Sequence, residues 1–281
     1  MIVVTGATGN VGRPLVESLA DAGHAVTAVS RGVTSGLPSR PGVSPVVADL
    51  ADPAGVAPAL VGAQALFLLV PGAGAHVDGP ALLRAAADAG VRRVVLLSSQ
   101  AAGTRPTSVS HAPLAALETA VRSSGLDWTI LRPGGFTTNA FAWVPSVRAE
   151  RTVLAPYADV ALPAVDPGDI ADVAAAALTG DGHAGRVYGL TGPEATSPRR
   201  RAEILGAALG EELRFVELGH DRAREQLLRA MPAPVADGTL DILGRPTPEE
   251  RRISPDVPAV LGRPATSFED WVGRNLDAFR G

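Results

Sequence analysis

Three glycines at three-residue spacing stand near the start of the chain, in Thr5-Gly6-Ala7-Thr8-Gly9-Asn10-Val11-Gly12. They follow a β-branched run, Ile2–Thr5, and lead into an amphipathic stretch, Asn10–Ala22. A glycine at a strand end permits a tight turn. A second lets the backbone approach a diphosphate, and a third lets the helix pack closely on the sheet. Unpaired N–H groups at a helix start, together with the helix dipole, favour an anion there. The competing reading is a turn with a purely structural role. The spacing is G-x-x-G-x-x-G, whereas the usual dinucleotide fingerprint is G-x-G-x-x-G.

The next strand, His24–Ser30, bears on which nucleotide would fit. NAD sites place a carboxylate about 20 residues beyond the glycine turn, where it binds the ribose 2′-hydroxyl. Here the strand runs out in Val29-Ser30-Arg31-Gly32, with an arginine and no acid. A guanidinium pairs with a phosphate in two-pronged fashion and stacks on adenine, so NADP(H) is expected over NAD(H). The alternative is a solvated loop charge. Asp49 ends the following short strand. It is placed either to accept from the adenine amino group or to cap the next helix.

Other chemistry is missing. The chain has no cysteine, which removes thiolate nucleophiles, disulfides and iron–sulfur ligation. All 25 basic residues are arginine, so no lysine ammonium or Schiff base is available. His24, His76, His183 and His220 show no metal-ligand spacing, and no metal is expected. His111, at the start of a helix, could donate a proton near neutral pH, or it could simply contact solvent or backbone. Gln100 could orient a carbonyl by hydrogen bonding or serve as a strand-end turn residue. Arg199-Arg200-Arg201 and Glu249-Glu250 read as solvated faces.

The elements that must hold these residues alternate. Strands are expected at Pro45–Val47, Ala65–Val70, Arg93–Leu97, Asp127–Leu131 and Arg186–Leu190, and helices at Pro80–Ala89, Ala112–Ser123 and Asp169–Leu178. Continuous apolar runs such as Ala65–Val70 suit strands buried on both faces. The pattern predicts an α/β fold, a doubly wound Rossmann-type parallel sheet with helices on both sides. Gly134–Pro167 reads as irregular. Beyond Pro198, helices are expected at Arg199–Leu209, Asp221–Ala230, Val235–Leu243 and Ser267–Arg280, with a short strand at Leu213–Val216. A dinucleotide-binding domain is therefore expected over 1–150, completed by 166–190. Residues 151–165 and 191–281 would form a smaller, mainly helical lobe on the substrate side.

A chain of 281 residues with 46% hydrophobic and 19% charged residues can build a full core, and wholesale disorder is excluded. The net charge of −4 argues against nucleic acid or an anionic membrane as partner. No apolar run reaches the roughly 18 residues of a membrane span. The opening Met1-Ile2-Val3-Val4-Thr5 has neither a charged stretch nor a cleavage site, so a cytoplasmic protein is expected. Oligomeric state is not legible.

Several motifs in order resemble the NmrA-like branch of the atypical short-chain dehydrogenases, which includes small quinone reductases. They are the glycine turn, Glu118, the stretch Ser124-Gly125-Leu126-Asp127-Trp128-Thr129-Ile130-Leu131-Arg132-Pro133-Gly134-Gly135-Phe136 with Asn139 after it, Asp169-Ile170-Ala171, and Tyr188-Gly189-Leu190-Thr191-Gly192-Pro193-Glu194. The resemblance implies that Gly6, Thr8, Gly9, Asn10 and Val11 hold the pyrophosphate and Arg31 the 2′-phosphate. Leu69, Val70 and Pro71 would flank the adenosine, with ordinary strand-end packing as the alternative. Ser98 would lie near the nicotinamide ribose, and Pro133, Gly134 and Phe136 would line the nicotinamide.

The wider family works with a Tyr-x-x-x-Lys pair. This chain has no lysine, its tyrosines are Tyr157 and Tyr188, and Leu114 stands where the branch often carries a lysine or histidine. A missing acid restricts the acceptor. An isolated ketone gives a strongly basic alkoxide, whereas a quinone gives a phenolate-like anion whose conjugate acid has a pKa of roughly 10. An activated double bond conjugated to a carbonyl is similarly forgiving. Phe136, Asn139, Phe141, Trp143 and Tyr157 could shape a flat slot for an aromatic or quinone-like acceptor, or belong to the core between the two lobes. Two functions follow: an NADPH-dependent reductase of quinones or similar conjugated carbonyls, or an NADP(H)-binding redox sensor that acts on a partner protein.

Overall fold

The computed structural model describes residues 1–32, 40–70, 72 and 74–280. The strands and helices alternate as β1(Ile2–Thr5), α1(Gly12–Asp21), β2(Val26–Ser30), β3(Val43–Val47), α2(Pro53–Leu60), β4(Ala65–Leu69), α3(Gly79–Asp88), β5(Arg93–Leu97), α4(Gln100–Thr104), α5(Ala112–Arg122) and β6(Asp127–Pro133). They continue with α6(Val144–Glu150), β7(Thr152–Ala155), α7(Pro167–Thr179), β8(Arg186–Leu190), α8(Pro198–Leu209), β9(Arg214–Glu217), α9(His220–Leu228), α10(Ala233–Gly244), α11(Asp256–Leu261) and α12(Phe268–Asn275). Seven strands form one parallel sheet in the order β3-β2-β1-β4-β5-β6-β8. This is the doubly wound Rossmann-type sheet that the alternation predicts.

Both faces of the sheet are buried, as the continuous apolar strands require. One core joins Val4, Phe67 and Leu131 to Leu15, Val16 and Leu19 of α1 and to Ile170 and Val173 of α7. The opposite core joins Val3, Leu66, Leu96 and Ile130 to Leu60 of α2, Leu82 of α3 and Val121 of α5. Each such fully buried side chain stabilises the fold by roughly 1.5–3 kcal/mol. Local signals fix the helix starts. Asp78 caps α3 by accepting from Ala81 N at 2.9 Å, and Asp166 caps α7 by accepting from Gly168 N at 2.7 Å.

The two sheet edges are covered differently. β3 carries Pro45, a residue suited to an edge strand. Along β8, Gly189 N donates to the Asp256 carboxylate at 2.7 Å and Ser254 N donates to Thr191 Oγ1 at 2.9 Å. These bonds lay the segment around Ser254–Asp256 against the strand. Val257 and Ala265 complete the first core, so this part of 191–281 packs on the sheet.

The stretch Gly134–Pro167, expected to be irregular, is structured. A 3-10 helix over Thr137–Trp143 runs into α6, and β7 pairs in parallel with β9. The pairing links residues about 60 positions apart, so no local pattern announces it. Phe268, Trp271, Val272 and Phe279 meet Val147, Val153 and Leu205 in a separate core of the lobe, and Leu218, Ala223 and Leu240 form a fourth cluster. α2 also went unforeseen, because Gly55 and Pro58 interrupt its helical pattern.

Candidate active site

The glycine turn sits between β1 and α1, at the carboxyl ends of the parallel strands. Gly6 has φ +64°, and a Cβ there would come within 2.8 Å of Leu69 Cδ2. A Cβ at Gly12 would overlap the Gly6 carbonyl oxygen, so only glycine allows the helix to start so close to the turn. Gly9 N closes the turn on Gly6 O at 3.0 Å. α1 begins at Gly12, two residues later than expected, and has no side-chain cap among the described residues. Arg13 N donates to Gly9 O at 3.1 Å and Pro14 carries no N–H, so the N–H groups left to an anion are those of Asn10, Val11 and Gly12 in the turn itself, and this cradle fits the diphosphate of a dinucleotide. Asn10 Nδ2 reaches Thr138 Oγ1 at 3.4 Å, which ties the turn to the 3-10 helix.

A cavity of about 210 Å³ adjoins the turn, lined by Thr5, Gly6, Thr8, Gly9, Val29, Ser30, Arg31, Ala48, Leu50 and Leu69. Arg31 is exposed at its rim and makes no ion pair among the described residues. Ser30, Ala48 and Leu50 were missed by sequence reasoning. Ala48-Asp49-Leu50 alternates at the end of β3, which is the signal that two apolar neighbours of Asp49 would face the cavity. Asp49 itself accepts from Ala51 N at 3.0 Å and shapes the turn before α2. Thr5 locks the cavity floor, since its Oγ1 accepts from Leu69 N at 2.8 Å and lies 3.1 Å from the carbonyl oxygen of Phe67. Val70 is buried beyond it, and Pro71 lies outside the described residues.

Ser98, just beyond β5, and Glu118, on α5, are buried. Ser98 Oγ donates to Glu118 Oε1 at 2.6 Å, and Arg132 grips the same carboxylate through Nε (2.9 Å) and a terminal nitrogen (2.6 Å). Gly103 makes room for the guanidinium, where a side chain would strike it. The Ser98 proton is thus committed inward, and its oxygen can still accept. Pro133 ends β6, and Gly134 N donates to Leu190 O at 2.9 Å. Gln100 Nε2 donates to Glu249 O at 3.2 Å, while its Oε1 stands 3.5 Å from where a Cβ on Gly134 would be. Gln100 and Gly134 are therefore brought together.

His111 precedes α5 and is half-buried, with Nδ1 2.9 Å from Ser110 Oγ. Burial pushes its pKa down from the ordinary histidine value; Glu250 pulls it up and Arg105 pushes it down further. Glu250 corrects an expectation: it is 2% exposed and not part of a solvated face. It accepts from Thr104 Oγ1 (2.7 Å), Arg105 Nε (2.8 Å) and a terminal nitrogen of Arg105 (2.9 Å), and from Thr247 N (2.8 Å). Burial works to raise its pKa, and these hydrogen bonds outweigh it and hold the carboxyl below the ordinary glutamate value. Arg201 also departs from a solvated face and is half-buried. It donates to Thr196 Oγ1 and Leu162 O, and desolvation lowers its pKa to about 10.

The aromatic residues do not share one slot. Phe136 packs on the first core, Tyr157 on the fourth cluster, and Trp143 on the lobe core, while Phe141 lies edge-on to Trp271 at 5.0 Å and stacks near Phe279. Tyr157 has φ +52° and packs against Gly244, a position where a Cβ would strike its ring. Asn139 is exposed beside Phe136, and its N–H donates to the Phe136 carbonyl.

A parallel sheet with a glycine cradle at its carboxyl edge defines a nucleotide-binding Rossmann protein. Residues 6–181 match a family model described as NAD(P)H-binding, and the chain belongs to this family. It is 41% identical, over 99% of both chains, to (4-alkanoyl-5-oxo-2,5-dihydrofuran-3-yl)methyl phosphate reductase of Streptomyces griseus. It is 31% identical, again over 99% of both, to an NAD(P)H azoreductase of Xenophilus azovorans. An NADPH-dependent quinone oxidoreductase of Escherichia coli, solved with NADPH, superimposes with a TM-score of 0.82 at 26% identity, covering 98% of this chain and 99% of the other. The chain is an NAD(P)H-dependent oxidoreductase. No helix among the described residues is long and apolar enough to cross a membrane.

Proposed function

We propose that this chain uses NADPH in preference to NADH to reduce a small conjugated carbonyl acceptor, either a quinone or an alkene conjugated to a carbonyl. Arg31 carries the cofactor preference: a guanidinium with no ion-pair partner among the described residues lies at the cavity rim, where an NAD site needs a carboxylate. Bound NADPH supplies a hydride. Gly6, Thr8, Gly9, Asn10 and Val11 would bind the diphosphate, Leu69 and Val70 would flank the adenosine, and Ser98, Pro133, Gly134 and Phe136 would surround the nicotinamide.

The acceptor class follows from what the chain lacks. His111, with its lowered pKa, is a poor acid at neutral pH, and no lysine is present to help. An acceptor whose hydride adduct is a delocalised anion needs little acid, and the final proton can come from water or from His111. The Streptomyces relative's named substrate fits that rule. Its ring double bond is conjugated to both a ring carbonyl and an alkanoyl carbonyl, so hydride addition leaves a doubly stabilised enolate. Positioning and exclusion of water then carry much of the rate. Loss of NADPH absorbance with quinones, with a 2-alkanoyl butenolide and with a simple ketone tests this. Turnover is expected with a conjugated acceptor and not with the ketone; equal turnover of the ketone would refute the acceptor class.

A further inference from the structure

The segment Arg245–Glu250 is fastened to the connection between β5 and α5 at several points. Glu250 receives four hydrogen bonds, three of them from Thr104 and Arg105. A terminal nitrogen of Arg105 also donates to Arg245 O at 2.7 Å. A buried carboxylate with both oxygens doubly satisfied is tolerated, and it is costly to disturb. The next carbonyl back, Glu249 O, lies 3.2 Å from Gln100 Nε2. A carbonyl only accepts, so the Gln100 amide is oriented with its NH2 toward Glu249 and its Oε1 toward Gly134.

We propose that Gln100 reads the nicotinamide end of the cofactor: its Oε1, held toward Gly134 by the Thr247–Glu250 strap, accepts a hydrogen bond from the carboxamide N–H, and Glu250 is the positioning residue. This rests on the reading that the nicotinamide lies at the Gly134 turn. It separates two jobs at one cofactor, since Arg31 senses the phosphate on the adenosine and Gln100 senses the amide at the other end. It also gives a reason for burying Glu250. The anchor keeps the Gln100 amide from flipping, and a flipped amide would present a donor where an acceptor is required.

The test is a set of calorimetric titrations of the full chain with three probes: NADPH, its 3-acetylpyridine analogue (in which a methyl replaces the carboxamide NH2), and 2′-phospho-ADP-ribose, which lacks the ring. The wild type should prefer NADPH over the acetylpyridine analogue by about three- to tenfold, the range of one hydrogen bond. Gln100→Leu should abolish that preference and bind 2′-phospho-ADP-ribose as the wild type does. Glu250→Gln should lose part of it, and in the Gln100→Leu background it should change the ratio no further. Phospho-ADP-ribose binding shows that each variant is folded; Thr104→Val is the milder substitution if Glu250→Gln is not. A preference that survives in Gln100→Leu would overturn the assignment alone. Binding of phospho-ADP-ribose by a wild type that gains nothing from the nicotinamide would overturn the reading beneath it as well.

Discussion

At the scale of single residues, the site is defined by side chains held in one protonation or hydrogen-bonding state. His111 is the clearest instance. Burial lowers its pKa, so near neutrality it is mainly the free imidazole. If it supplies the proton, turnover should rise as the pH falls through and below the ordinary histidine range, and His111→Gln should flatten that limb without changing NADPH affinity. A profile of the same shape in the variant would assign the proton to water. The place of the glycine turn and of Arg31 beside one cavity was legible because each follows directly on a β-branched strand. The partners of Ser98 were not. Nothing local in the sequence says that its hydroxyl turns inward to a glutamate 20 residues on.

Elements show why that glutamate is there. Glu118 on α5 collects Ser98 from the end of β5 and Arg132 from β6, so one buried carboxylate registers two strand ends against a helix. Removing it leaves Arg132, 29% exposed, without its main partner. Glu118→Ala is expected to cost about 2–3 kcal/mol, less than a fully buried pair would. Denaturant midpoints measure it, and a change within about 0.5 kcal/mol would deny the registering role. Strands and long helices were readable because both sheet faces are apolar and because α3, α7 and α8 begin at an Asp or Ser cap followed by a proline. The 3-10 helix after Phe136, α6 and β7 were not. Each is short, and β7 exists only through its non-local pairing with β9.

Across the whole molecule, the segment after α10 binds the parts into one unit. It runs from Gln100 in α4 and Arg105 just after it to Gly189 in β8 and Thr191 just beyond that strand. The pair Glu249-Glu250 looks like surface charge in one dimension. Only the fold reveals that one of the two is buried against Arg105. Because the folded-state pKa of Glu250 is depressed, its stabilisation is present above the unfolded glutamate value and lost as pH falls toward the folded one. The melting-temperature gap between the wild type and Glu250→Gln should therefore be widest near neutrality and narrow below the ordinary glutamate range. A gap independent of pH would mean that the ionised carboxylate contributes nothing there.

The cofactor preference assigned to Arg31 reduces to a single quantity, the ratio of NADH to NADPH dissociation constants. Calorimetry on the wild type and on Arg31→Ala measures it directly. The expected result is NADPH binding at least about tenfold tighter than NADH in the wild type, with the difference largely erased in Arg31→Ala through weaker NADPH binding alone. Equal affinities in the wild type, or equal losses for both nucleotides in the variant, would contradict the assignment of Arg31 to the 2′-phosphate.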